Sequence, residues 1–266
     1  MPLITDTSFS RGLAGLGWCI NKLSELQLIE GDINDILYYV DAAVYRDVNS
    51  PDASYELSLM NGVCGYLAYA LARLRNPYTD KHSAQYRLLS SAVRSLVDQS
   101  DRMISEVFPK LMKELHVSCL WEPPILFAEL GIVDRMGLYP RKVGNQLERW
   151  SVEILGTLPY YHVNRLSWAT VLAYANANVQ KEYFDRHIAT LLKSVSMEEM
   201  NRECSPMILN VNEGAPLFNN VTNAAIGMFQ CDVELIRRLR AFNKQVSNDY
   251  FQILTCSSFG FRKRVK

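Results

Sequence analysis

Two glycine-bearing segments, fifty residues apart, constrain this chain more than any other feature in it. When "SFSRGLAGLGWCI" (8–20) is laid over "SLMNGVCGYLAYA" (58–70), Ser8 falls on Ser58, Gly12 on Gly62, Leu13 on Val63 and Gly15 on Gly65. Both segments carry apolar residues at helical spacing, yet a glycine inside a helix costs about 1 kcal/mol relative to alanine. The recurring G-x-x-G therefore implies a compensating gain, and close approach of backbone at a helix end is the one that glycine supplies. A unit of about 50 residues accommodates two helices and their connections, so the motif recurs once per helical hairpin, at the start of one helix of each pair.

The remaining sequence agrees in type. "DINDILYYVDAAVY" follows Gly31 with Asp32 as N-cap and Asp35 three residues on, and Ile33, Ile36, Leu37, Val40 and Val44 form one face. Leu88, Leu89, Val93, Leu96 and Val97 do the same in "AQYRLLSSAVRSLVDQSDRMISEVF". Further helical patterns are "RKVGNQLERWSVEIL", "RLSWATVLAYANANV", "EYFDRHIATLLKSV" and "CDVELIRRLRAFNKQ". Breaks are expected at Gly31, Asn76-Pro77, Pro123-Pro124, Pro140, Pro159 and Pro206, each ending a helix. The reading is an all-α chain of paired helices forming a single domain over 1–266.

At 48% hydrophobic residues the chain can bury a sizeable core. Its 28 basic residues balance 28 acidic ones, so no global field recruits nucleic acid or an anionic membrane. "MPLITDTSFSRG" lacks the pattern of a secretory signal, and no apolar run approaches the roughly 18 residues of a membrane span, which points to a cytoplasmic location. The six cysteines are scattered without a close pair, as reduced and mostly buried thiols would be.

"GLAGLGWCI" and "NGVCGYLAYALARL" resemble the repeated glycine motifs of lanthionine synthetase C-like proteins, the lanthipeptide cyclases. The resemblance is carried by Ser8 to Tyr45 and Ser58 to Arg75, with a weaker match over Asn164 to Phe229. It implies an α/α toroid, an inner ring of helices within an outer ring, with the glycines at inner-helix ends. At about 50 residues per hairpin the chain holds about five hairpins, which leaves the ring open as a crescent or closed by another subunit.

The resemblance also implies a zinc ion that activates a peptide thiol, held by two cysteines and a histidine with a fourth position open. In this sequence the implied ligand positions are degenerate. "RLSWATVLAY" keeps Trp168 of the family's W-C-x-G but has Ala169 for the cysteine and Val171 for the glycine. "LNVNEGAPLF" puts Asn212, Glu213 and Gly214 where C-H-G would stand, 43 residues after Ala169. His82, His116, His162 and His187 offer no pair at helical spacing, and Asp185 and His187, two apart, point to different sides of a helix. No metal and no other cofactor is expected.

The function this reading favours is a non-catalytic lanthionine synthetase C-like protein that binds a peptide or protein partner, as an accessory to peptide maturation. Trp168, Tyr161, Asn212 and Glu213 are the binding candidates, beside the structural glycines Gly12, Gly15, Gly62 and Gly65; Tyr160 and His162 extend the aromatic run "LPYYHVNRLSW". The docking site is expected on the rim where the glycine helices begin, with uncovered N–H groups facing an anion. The alternative is a toroid enzyme acting on a carbohydrate or peptide through carboxylates without zinc, drawn from Asp134, Glu148, Glu153 and Glu213. Because Ala169, Asn212 and Glu213 cannot reproduce a thiolate and imidazole set, the purified chain is expected to hold no stoichiometric zinc. Elemental analysis finding one tightly held zinc per chain would overturn that assignment.

Overall fold

Both glycine segments start their helices in the same way. Gly12 caps α1 (Leu13–Glu25) and Gly62 caps α3 (Val63–Arg75), with φ −117°, ψ −162° at the first and φ −136°, ψ −162° at the second. Each cap follows a tight turn that folds back over the helix start. The Leu13 amide donates to the Asp6 carbonyl at 2.8 Å, and the Val63 amide donates to the Glu56 carbonyl at 3.0 Å. A Cβ at Gly12 would collide with the Asp6 carbonyl, and one at Gly62 with the Glu56 carbonyl and with the Ser58 nitrogen at 2.8 Å. One turn further, Gly15 faces the Phe9 carbonyl, while Gly65 faces the Leu59 carbonyl and lies where a Cβ would meet the Phe9 Cβ at 2.7 Å. The two turns also bond to each other, from the Ser10 amide to the Met60 carbonyl at 2.9 Å and from the Ser10 hydroxyl to Asn61 Oδ1 at 2.8 Å.

This geometry belongs to a computed structural model that describes residues 5–50, 55–113, 122–156, 158–162, 165, 168, 169, 172, 173, 176, 179–196, 198, 199 and 202. Among these residues every regular element is helical and there is no strand. Besides α1 and α3 they include α2 (Ile33–Val48), α4 (Ala84–Lys113), α5 (Glu122–Arg135), α6 (Pro140–Leu155) and α7 (Glu182–Lys193). The chain divides into two compact units, Met1–Lys113 with Glu129–Trp150, and Glu114–Ala128 with Ser151–Lys266.

In the first unit, α1 packs on α2 and α3, and α4 packs on α2 and α3. The glycine helices are thus neighbours, and so are their hairpin partners. Gly17 makes the α1 contact close: a Cβ there would lie 2.6 Å from Tyr69 Cε2 and 2.9 Å from Val40 Cγ1. α3 is buried on all sides from Val63 to Leu74, with Arg73 among the buried residues. α2 starts at Asp32, whose carboxylate accepts from the Asn34 amide at 2.8 Å, and it buries Ile33, Leu37, Asp41, Val44 and Val48. The expected apolar face of α2 is therefore displaced: Ile36 is exposed and Asp41 takes an inward place, because Asp41 pairs with Arg73. α4 contributes Leu89, Ala92, Val93, Leu96 and Val97 to the core, and α6 contributes Val143, Leu147 and Trp150. Burying such side chains stabilises by about 1.5–3 kcal/mol each.

The prolines act differently from expectation. Pro123 and Pro124 lie in the first turn of α5, and Pro140 is the first residue of α6. At these positions the missing N–H is an orphan in any case and the fixed φ suits a helix, so they open helices rather than close them. In the second unit, α7 buries Phe184, Ile188 and Leu191, and Phe184 meets Phe127 edge-on with ring centroids 5.1 Å apart.

The glycines differ sharply in what surrounds them, which gives a direct test. A Cβ at Gly65 meets backbone, whereas one at Gly144, within α6, meets nothing within 4 Å. Gly65→Ala is expected to destabilise by about 1–3 kcal/mol through overpacking. Gly144→Ala is expected to stabilise by about 0.5–1 kcal/mol through helix propensity. Thermal melts of the two variants check both signs.

Candidate functional site

The rim formed by the two helix starts is closed on itself. The Leu13 and Ala14 amides donate to the Asp6 and Thr7 carbonyls at 2.8 and 3.2 Å, and the Val63 amide is taken by Glu56. The expectation of uncovered N–H groups awaiting an anion fails here, because the glycines bring the preceding turn close enough to occupy them. Behind the rim, the Thr7 and Tyr66 hydroxyls both donate to Asp47 Oδ2, at 2.5 and 2.6 Å. Burial pushes the Tyr55 and Tyr66 phenols well above the ordinary tyrosine value; next in order, the charge of Asp47 adds to this at Tyr55, and the hydrogen bond to Asp47 adds to it at Tyr66. Tyr69 is raised in the same sense by burial and then by the Asp41 charge.

In the second unit a short ledge runs from Leu158 to His162. Leu158 is 57% exposed and Tyr160 69% exposed, while Tyr161 is half-buried. The Tyr160 and Tyr161 rings meet edge to face with centroids 5.2 Å apart. Exposed apolar residues on a loop would ordinarily be mobile, yet this one is fastened from beneath. Arg165 donates to the carbonyls of Pro159 at 2.7 Å, Tyr160 at 3.2 Å and Ser194 at 3.0 Å, so one guanidinium ties the ledge to the end of α7. His162 adds a second tie, its Nδ1 accepting from the Ser196 amide at 3.0 Å, which leaves the ring proton on Nε2. Arg165 was not among the sequence candidates. An arginine in a helical pattern reads as surface charge, and nothing in the sequence marks three backbone carbonyls as its partners.

The other predicted residues separate. Trp168 is fully buried, and its indole N–H finds no acceptor among the described residues, so its ring fills core and is not offered to a partner at the surface. Ala169 beside it is buried as well and presents a methyl group with no ligand atom. Asn212 and Glu213 lie outside the described residues. Asp134 and Glu148 are exposed in the first unit and Glu153 is exposed in the second. None of the three sits in the sheltered setting that holds a carboxylic acid neutral for glycoside chemistry. Among the described residues the fully buried carboxylates are Asp41, in α2, and Glu129, in α5. Asp185 accepts from Asn176 Nδ2 at 2.8 Å and serves the start of α7. Among the described residues no three His, Cys, Asp or Glu side chains gather as metal ligands, and no helix is long and apolar enough to cross a membrane.

No protein-family model, curated protein or solved structure matches the chain.

The raised phenols carry a pH dependence with a definite sign. Tyr55, Tyr66 and Tyr69 keep their protons in the folded chain past about pH 10, where an unfolded tyrosine loses its own. The folded state thus binds these protons more tightly, and the stabilisation is complete below about pH 10 and lost as the pH rises above it. The melting temperature is expected to fall above about pH 10, with a group of tyrosines ionising only as the helical circular dichroism is lost. Absorbance titration at the tyrosinate band, showing all 14 tyrosines ionising while the helices persist, would contradict this.

Proposed function

We propose that this chain is a non-catalytic, lanthionine synthetase C-like helical protein that holds a peptide stretch of a partner against the ledge from Leu158 to His162. The family part of the reading rests on the two glycine segments. A toroid of hairpins places glycine helices side by side with their partners side by side, and the pairing of α1 with α3 and of α2 with α4 is in keeping with such a ring.

The observation that carries the binding reading is a ledge both exposed and fastened. An apolar surface that is already ordered forfeits little conformational entropy when a ligand covers it. Tyr160 supplies broad apolar area with a polar tip, and Leu158 extends it. Arg165 is a positioning residue, acting on the ligand through the carbonyls it holds. A peptide suits the site because its side chains can rest on the aromatic face while its own amides find the rim of Tyr hydroxyls and backbone groups.

Panning short random peptides displayed on phage against the full chain tests this. Enriched peptides are expected to bind Tyr160→Ala at least about tenfold more weakly than wild type. Arg165→Met should weaken them as well, while Tyr39→Ala, a change to an exposed tyrosine of α2 in the first unit, should leave them unaffected. Absence of any enriched peptide, or equal binding by wild type and Tyr160→Ala, would overturn the proposal.

A further inference from the structure

The chain leaves α7 by way of a histidine. The Ser194 amide bonds back to the carbonyls of Thr190 and Leu191, at 3.1 and 3.0 Å, and the Val195 amide to that of Leu192 at 3.2 Å. The Ser196 amide comes next, and it turns away from α7 to the ring of His162, whose Nδ1 accepts it at 3.0 Å. Ser196 has a second task. Its hydroxyl accepts from the Glu199 amide at 3.3 Å and so starts the helical turn that carries Glu198, Glu199 and Arg202. The bond to His162 therefore fixes where that turn begins relative to the ledge.

The two ties of the ledge differ in chemistry. Arg165 holds the Ser194 carbonyl with a guanidinium, which is not deprotonated in proteins. His162 holds the Ser196 amide with a ring lone pair, and an imidazole keeps that lone pair only while it is neutral. Histidine side chains take up their second ring proton between about pH 8 and pH 5. With one proton already on Nε2, the second goes to Nδ1, where an N–H then confronts the N–H of Ser196. Two donors cannot bond to each other. The ring is half-buried, so protons reach it from water.

The charged groups on either side of this bond do not replace it. Arg165 and the exposed Lys193, at the end of α7, are donors only. The carboxylates beyond Ser196 are those of Glu198 and Glu199, and Arg202 engages both, at 2.6 and 2.8 Å. The other charges of α7, on Glu182, Asp185 and Arg186, lie in its first turns, at the far end from Ser196. The carbonyls of Pro159, Tyr160 and Ser194 are already taken by Arg165.

We infer that His162 is a pH-operated tie: with its ring neutral it joins the segment beyond α7 to the ledge, and with its ring protonated it lets that segment go. The sign follows from the bond itself. The tie is complete where the imidazole is neutral and is lost as the pH falls through its protonation. Its consequence for binding rests on the ledge being a peptide site, as proposed above. A ledge that has lost one of its two ties must be ordered again by whatever covers it, so mild acid weakens its hold on a peptide.

Amide hydrogen exchange of the full chain, read residue by residue by NMR at about pH 7.5 and about pH 5.5, tests this. After correction for the intrinsic effect of pH on exchange, protection of the Ser196 amide is expected to fall about tenfold in acid, while that of Ile188 within α7 stays as it was. In His162→Asn a side-chain carbonyl that does not titrate stands near the place of Nδ1, and Ser196 should keep its protection at both pH values. Peptides enriched on the ledge at about pH 7.5 should bind wild type several-fold more weakly at about pH 5.5, and His162→Asn equally at both. Ser196 protection that does not change in wild type, or that falls as far in His162→Asn, would overturn the inference. So would peptides that bind wild type equally at both pH values. The exchange measurement needs no ligand, so a chain that loses the Ser196 bond in acid yet enriches no peptide overturns the ledge reading and supports the tie.

Discussion

The first unit is organised around a single buried ion pair. Asp41 in α2 and Arg73 in α3 are both fully buried, with Arg73 Nη2 2.9 Å from Asp41 Oδ2 and Nε 3.2 Å from Oδ1. Burying two charges carries a large desolvation penalty, which is repaid only when the geometry is good and the other donors are satisfied. Here they are: Arg73 Nη1 donates to Thr79, Thr79 donates to the Arg73 carbonyl, and the Tyr69 hydroxyl donates to Asp41. The network ties α2 to α3 and to the loop that leads into α4. It also sets the register of α2, since Asp41 can reach Arg73 only from the face that Ile33, Leu37 and Val44 share.

Against that frame the twin turns fix where α1 and α3 begin. Each turn replaces the usual side-chain cap with backbone: neither Gly12 nor Gly62 has a side chain to offer, and the preceding carbonyls accept the first helical amides instead. The same closeness shuts the rim to anions. It lets the turn before α1 rest on the turn before α3, so that Phe9 approaches Gly65. A protein built this way uses its helix starts for internal packing.

Much of the helical layout was legible in the sequence. Asp32 read as a cap and is one, because a carboxylate two residues from an amide closes the same local bond in any context. The inward faces of α4, α6 and α7 follow helical periodicity, since their buried residues are mainly apolar, with Ser90, Ser100, Gln146 and Ser151 as the polar members. α2 and α1 departed from it where polar residues went inside. Periodicity counts hydrophobicity, and it cannot foresee that Asp41 will find Arg73, or that Asn21 will find Asn76 and the Ala72 carbonyl. The prolines were misjudged for a related reason: the same fixed φ stops a helix or starts one, depending on which neighbours continue it.

By itself the sequence determined the helical class and the fifty-residue recurrence of glycine, because propensity, capping and chain stiffness act over a few residues and are written in them. It also held Tyr160 and Tyr161 out as candidates, since aromatic residues next to a proline stand out in any reading. Only the tertiary structure decided that Trp168 fills core while Tyr160 faces water, that Arg165 is a clamp, and that the leucines of α1 point outward. Exposure is a property of what packs against a side chain, and those neighbours arrive from segments far along the chain.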